Sequence, residues 1–120
     1  MPWKILLKMA IDAAAGVLHL HCEGVIHRDL AARNLLVDDS YRVRVADFGF
    51  SRLKESNFTH AYTEKAIGPI KHMAPEAMRF RKYSEATDSF SFGVVLFEIF
   101  TGERPWKGCL NLDVVVRGMY

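Results

Sequence analysis

Two short stretches hold the polar groups from which chemistry could be built. The first is His27-Arg28-Asp29-Leu30-Ala31-Ala32-Arg33-Asn34, set between apolar segments, and the second is Asp47-Phe48-Gly49, which begins 13 residues after Asn34. Asp29, Asn34 and Asp47 make up a carboxylate, an amide and a second carboxylate. Hard oxygen donors of this kind suit magnesium, with waters and substrate phosphates completing its octahedron. The set fits phosphoryl transfer, which needs little covalent chemistry from a protein. It needs a base within reach of the attacking hydroxyl and positive charge over the phosphate oxygens.

The elements that must position these groups follow from hydrophobic spacing. From Trp3 to about His21, residues Ile5, Leu6, Met9, Ala10, Ala13, Val17 and Leu20 recur at helical intervals, with alanine-rich filling and Gly24 as the stop. Val25-Ile26 is a short apolar stub before the octet. Leu35-Leu36-Val37, the turn Asp38-Asp39-Ser40 and the alternating stretch Tyr41 to Val45 predict a small hairpin. Asp47 to Pro75 has no sustained period and predicts a surface loop. Asp88 opens an apolar helix, Phe90 to Phe100, closed by Thr101-Gly102 and expected to be buried nearly all round. A last helix is expected from Asn111. The expected fold is mainly α with a small β-hairpin, as one domain over residues 1–120.

Four motifs in order carry a resemblance to the protein kinase family: the octet, Asp47-Phe48-Gly49, Met73-Ala74-Pro75-Glu76 and Asp88-Ser89-Phe90-Ser91-Phe92-Gly93. The resemblance covers essentially the whole chain and implies the C-terminal lobe of the kinase fold, incomplete at both ends. It implies ATP and magnesium as cofactors. Asp29 would accept the proton of the attacking hydroxyl, Asn34 and Asp47 would hold magnesium, Gly49 would let the loop turn, and Leu36 would floor the adenine pocket with Leu35 and Val37 facing inward. The plainer reading of those three apolar residues is strand core. Asp88 would accept hydrogen bonds from the catalytic-loop backbone, the alternative being an ordinary N-cap. His27 would pack under Phe48 and bond to backbone rather than act as a base.

The same resemblance favours a tyrosine kinase. Ala31 occupies the position two residues after Asp29 where serine/threonine kinases usually carry lysine, and Arg33 supplies a cation instead. Pro69-Ile70-Lys71 resembles the tyrosine-kinase platform, where proline fixes the backbone beneath a flat phenol ring. His72 and Phe90 stand where tyrosine kinases usually have tryptophan, so a tyrosine-kinase-like kinase with serine/threonine or dual specificity is the alternative. Arg28 would clamp a phosphorylated loop residue, Tyr62 first and Thr63 second, against the plain reading that exposed loop tyrosines are common. Glu76 would pair with an arginine of the family that this sequence does not contain.

Composition sets the outer limits. Sixteen basic and 14 acidic residues give a formal charge of +2, too little to recruit nucleic acid nonspecifically. Cys22 and Cys109 fit no metal spacing and suit a reducing compartment, and His19, His21, His60 and His72 share no ligand spacing. No succession resembling a signal peptide opens the chain, and its longest apolar run, Val94 to Phe100, is broken by Glu98 and too short to span a bilayer, so a cytoplasmic location without membrane contact is expected. The expected partner is a protein substrate containing tyrosine. The sequence holds no glycine-rich phosphate loop and no small-lobe lysine. The 120 residues alone are therefore expected to be inactive and marginally stable, and a noncatalytic binding module is the rival from another class.

Overall fold

A computed structural model describes residues 1–47, 52–53 and 70–106. Helix α1 spans Trp3–Cys22, β1 Val25–Ile26, β2 Leu35–Val37, β3 Val43–Val45, β4 Arg52–Leu53, α2 Pro75–Phe80 and α3 Glu85–Thr101, with 3-10 turns at Ala32–Asn34 and Ile70–His72.

The α1 periodicity places Ala10, Ala13 and Val17 on its buried stripe, against β3 and α3. Gly16 is the point of closest approach, since a Cβ there would lie 2.8 Å from Val45 Cγ2. Glycine costs about 0.5–1 kcal/mol relative to alanine in a helix, a cost offset here by letting the hairpin sit against the helix. The chain leaves α1 through Gly24 at φ +76°, a left-handed stop that glycine takes without strain. Among the described residues α1 alone is long and apolar enough to cross a membrane by length and composition. Lys4, Lys8 and Asp12 interrupt it, so it holds no long unbroken apolar run.

β2 and β3 pair antiparallel with Leu35 opposite Val45, Leu36 opposite Arg44 and Val37 opposite Val43. The strand starts at Val43 and not at Tyr41, because Asp38 organises the intervening loop. Its Oδ1 accepts the Ser40 N–H at 2.8 Å and the Arg42 N–H at 3.0 Å, which leaves Tyr41 at φ +61°. The Arg42 N–H, aided by that of Ser40, holds the Asp38 carboxyl below its usual range.

Three expectations need correction. The stretch from Asp47 to Pro75 is not wholly irregular: Arg52–Leu53 pairs antiparallel with Val25–Ile26, and Ile70–His72 forms a turn. Pieces of two or three residues are too short to carry a period. Second, α3 begins at Glu85, where Thr87 Oγ1 accepts the Ser84 N–H and donates to the Ser84 carbonyl, both at 2.8 Å. Asp88 is therefore inside the first turns and is not the cap. Third, α3 is buried along one stripe only. Val95 joins Val17 and Leu30 in a core edged by Leu35, Val45, Phe92 and Ile99, while Phe90, Phe97 and Phe100 are each close to half exposed and are not core residues. A second core of Ile70, Met73, Ala74 and Ala77 packs with Met78 and Tyr83. Met1 is exposed, unlike the buried Met73. The helix expected from Asn111 lies outside the described residues.

Candidate functional site

The 27–34 loop is built from the buried face of α3 upward. Asp88, 1% exposed, accepts the His27 N–H at 2.8 Å and the Arg28 N–H at 3.0 Å on separate oxygens. His21 Nε2, at the end of α1, lies 2.9 Å from the same Oδ2 that receives His27. A buried carboxylate is costly unless its lone pairs are met, and three donors meet these. The grip also holds Arg28 at φ +72°, a left-handed backbone that costs a residue with a Cβ about 1–3 kcal/mol.

His27 is fully buried and spends both ring nitrogens on backbone. Nδ1 accepts the Asp29 N–H at 3.1 Å, so the proton sits on Nε2, which donates to the Ala46 carbonyl at 2.9 Å. No nitrogen remains to act as a base. The Ala46 N–H in turn donates to the Asn34 carbonyl at 2.8 Å. The backbone N–H and carbonyl of this one residue thus join the 27–34 loop at both ends, and Asp47 is the next residue in the chain. Asp47 is exposed and sits at φ +57°.

Within the loop, Asp29 and Asn34 are nearly inaccessible, whereas the Arg33 side chain is about half exposed. Arg33 Nη2 donates to Asp29 Oδ1 at 2.5 Å. Asn34 Nδ2 donates to Asp29 Oδ2 at 3.1 Å and to the Asp29 carbonyl at 2.6 Å. The carboxylate is therefore oriented by donors four and five residues further on. This network also fixes the amide of Asn34: its nitrogen belongs to Asp29, leaving Oδ1 as the atom available to a cation. With the Asp47 carboxylate, one residue after Ala46 in the chain, the expected donor set is all oxygen, the chemistry that magnesium prefers. Among the described residues no group of three or more His, Cys, Asp and Glu side chains could hold a metal.

The other expected positions divide. Leu36 is exposed on the hairpin, paired with Arg44, and is not strand core. Leu35 faces the core, but Val37 is 47% exposed and does not turn inward as expected. Ile70 is buried with Met73 and Ala77, and Lys71 is partly covered. Glu76 is exposed, because α2 presents its first turn outward. Pro69, Phe48, Gly49, Tyr62 and Thr63 lie outside the described residues. Arg28 is buried, with its guanidinium carbon 4.1 Å from the centre of the Tyr83 ring, a cation–π distance.

Sequence reasoning overlooked Tyr83, Ser91 and Glu98. Ser91 Oγ donates to the His72 carbonyl at 2.5 Å, and Glu98 Oε1 accepts from His72 Nε2 at 2.6 Å and from the Ala32 N–H at 3.0 Å. Ser91 and Glu98 interrupt an apolar helix at three and ten residues past Asp88, a spacing that places all three on one face.

The family description "protein tyrosine and serine/threonine kinase" matches residues 1–118. The chain belongs to the protein kinase family. Over 117 residues this kinase chain is 44% identical to the human tyrosine-protein kinase Srms, an alignment covering 94% of it and 24% of Srms. It is 46% identical over 112 residues to the serine/threonine-protein kinase CTR1 of Arabidopsis thaliana, covering 92% of it and 13% of CTR1. The chain thus spans about a quarter or less of the length of these curated relatives. Members of this family are phosphotransferases that act on proteins and generally use ATP and magnesium.

Proposed function

We propose that residues 1–120 form part of the large, mainly helical lobe of a kinase domain that transfers the ATP γ-phosphate to protein tyrosine in the cytoplasm. The observation that carries this reading is the Asp29 carboxylate held between Arg33 and Asn34. As a tyrosine oxygen bonds to the γ-phosphorus and the bond to ADP breaks, Asp29 receives the hydroxyl proton. Asn34 Oδ1 and the Asp47 carboxylate are the ligands offered to magnesium, which when bound supplies positive charge over the transferring phosphate. Leu36 underlies the adenine. Ala31 is buried and short, so Arg33 is the cation beside the base.

Tyrosine specificity is supported by the Ala31-Ala32-Arg33 order and by Pro69-Ile70-Lys71. Serine/threonine or dual specificity is the second reading, favoured by His72 where tyrosine kinases usually carry tryptophan. In regulation, Arg28 receives a phosphate placed on Tyr62 or Thr63.

The test joins this chain to a nucleotide-binding lobe and identifies the phosphorylated amino acid in product peptides. Phosphotyrosine is expected, with turnover at least about 100-fold lower in Asp29→Asn. Products containing only phosphoserine or phosphothreonine select the second reading, and full turnover by Asp29→Asn overturns both.

A further inference from the structure

Residues 88, 91, 95 and 98 of α3 share one helix face, because steps of three, four and three keep to the helical repeat. Val95 is core, and the other three reach out of the helix to loop groups. Asp88 holds the backbone of His27 and Arg28, and Ser91 holds the carbonyl of His72. Glu98 does something different: one oxygen, Oε1, serves two loops at once. It receives the Ala32 N–H at 3.0 Å and the His72 imidazole at 2.6 Å. The pair is well sheltered, with side chains only 8% exposed for His72 and 12% for Glu98.

We propose that His72 is a positioning residue which, through Glu98, sets the placement of the Ala32–Asn34 turn and so the orientation of the Asp29 carboxylate. The inference rests on the kinase reading for its consequence in catalysis, but the coupling itself does not.

The physical link is short. Ala32 opens the 3-10 turn whose next two residues, Arg33 and Asn34, are the side-chain donors to Asp29. A sheltered carboxylate keeps its rotamer only while donors face it. Without the His72 N–H, Glu98 loses the shorter of its two bonds and can swing toward water. The Ala32 N–H then lacks its acceptor, and the turn carrying both donors loosens. His72 belongs to the 70–72 turn, in which Lys71, partly exposed unlike the buried Ile70, is the residue open to a protein substrate. An event on that turn therefore reaches the base through one oxygen atom.

Amide hydrogen exchange on the 120-residue chain tests the coupling without requiring turnover. His72→Ala is expected to speed exchange at Ala32 at least tenfold more than at His27 and Arg28, which Asp88 holds on the same helix. His72→Gln retains an N–H donor and is expected to return Ala32 to within threefold of the parent. If His72→Ala does not fold, His72→Met, which fills the volume without a donor, reads the same comparison. Equal acceleration at all three amides, or none at Ala32, overturns the proposal. Joined to a nucleotide-binding lobe, His72→Ala should lower kcat about tenfold while KM for ATP is unchanged. Unchanged kcat alongside an inactive Asp29→Asn sinks this inference alone. Full activity of Asp29→Asn sinks the kinase mechanism and leaves the exchange result standing.

Discussion

The carboxylate of Asp88 and the backbone N–H of His27 meet at 2.8 Å across 61 residues of sequence. The bond brings the first turns of α3 to the start of the 27–34 loop. With the companion bond to Arg28 it fixes the entry of the loop that carries Asp29.

Asp88→Ala should therefore be severe. It leaves two buried N–H groups without an acceptor, each costing about 1–3 kcal/mol, and removes what holds Arg28 left-handed. Urea denaturation is expected to show a loss of about 2–5 kcal/mol, and Asp88→Asn to fall short of rescue because its NH2 would face donors. A midpoint shift equivalent to less than about 1 kcal/mol for Asp88→Ala would contradict this assignment.

Asp47 is exposed and directly follows Ala46, whose N–H donates to the Asn34 carbonyl. In a chain joined to a nucleotide-binding lobe, Asp47→Asn should lower turnover at least about 100-fold and raise the magnesium concentration needed for half-maximal rate. Thermal stability should hardly change, since the residue is on the surface. An unaltered magnesium titration would remove Asp47 from the ligand set.

Gly16→Ala runs against helix propensity, which alone predicts a gain of about 0.5–1 kcal/mol. The new methyl would lie 2.8 Å from Val45 Cγ2, on a β-branched side chain with little rotamer freedom. A net loss of about 1–3 kcal/mol is expected. Val45→Ala should recover part of it in the double variant, and additive losses in that cycle would contradict the contact.

The Asp38 carboxyl is held below its ordinary value of 3.8 by the Arg42 and Ser40 N–H groups. A depressed folded-state value means the contribution is complete above the unfolded value and disappears as pH falls through the folded one. Exchange protection of the Ser40 and Arg42 amides should therefore fall on acidification below about pH 4. In Asp38→Asn this step should be absent. Protection that persists unchanged at pH 2 would exclude the carboxylate as the organiser of this loop.

Much of this was legible in the residues. The alanine-rich spacing of α1, the Gly24 and Gly102 stops and the β2–β3 pairing each follow from a local rule that one stretch of sequence contains. The octet and the three motifs that follow it in order pointed to the family for the same reason. The overlooked features are contacts between distant stretches. Glu98 reads as an interruption in an apolar run until Ala32 and His72 are seen on one of its oxygens, and β4 is two residues that exist only through Val25 and Ile26. Phe97 and Phe100 look like core by composition. Their exposure depends on which side of α3 meets α1, and a hydrophobic residue carries no mark of that.

Ala46 carries no charge and no reach, yet its peptide bonds to His27 on one side and Asn34 on the other. Because the hold is on the main chain, position 46 should accept many side chains and reject proline, which has no hydrogen to give. Drift at this site would therefore be silent in almost every substitution and damaging in one.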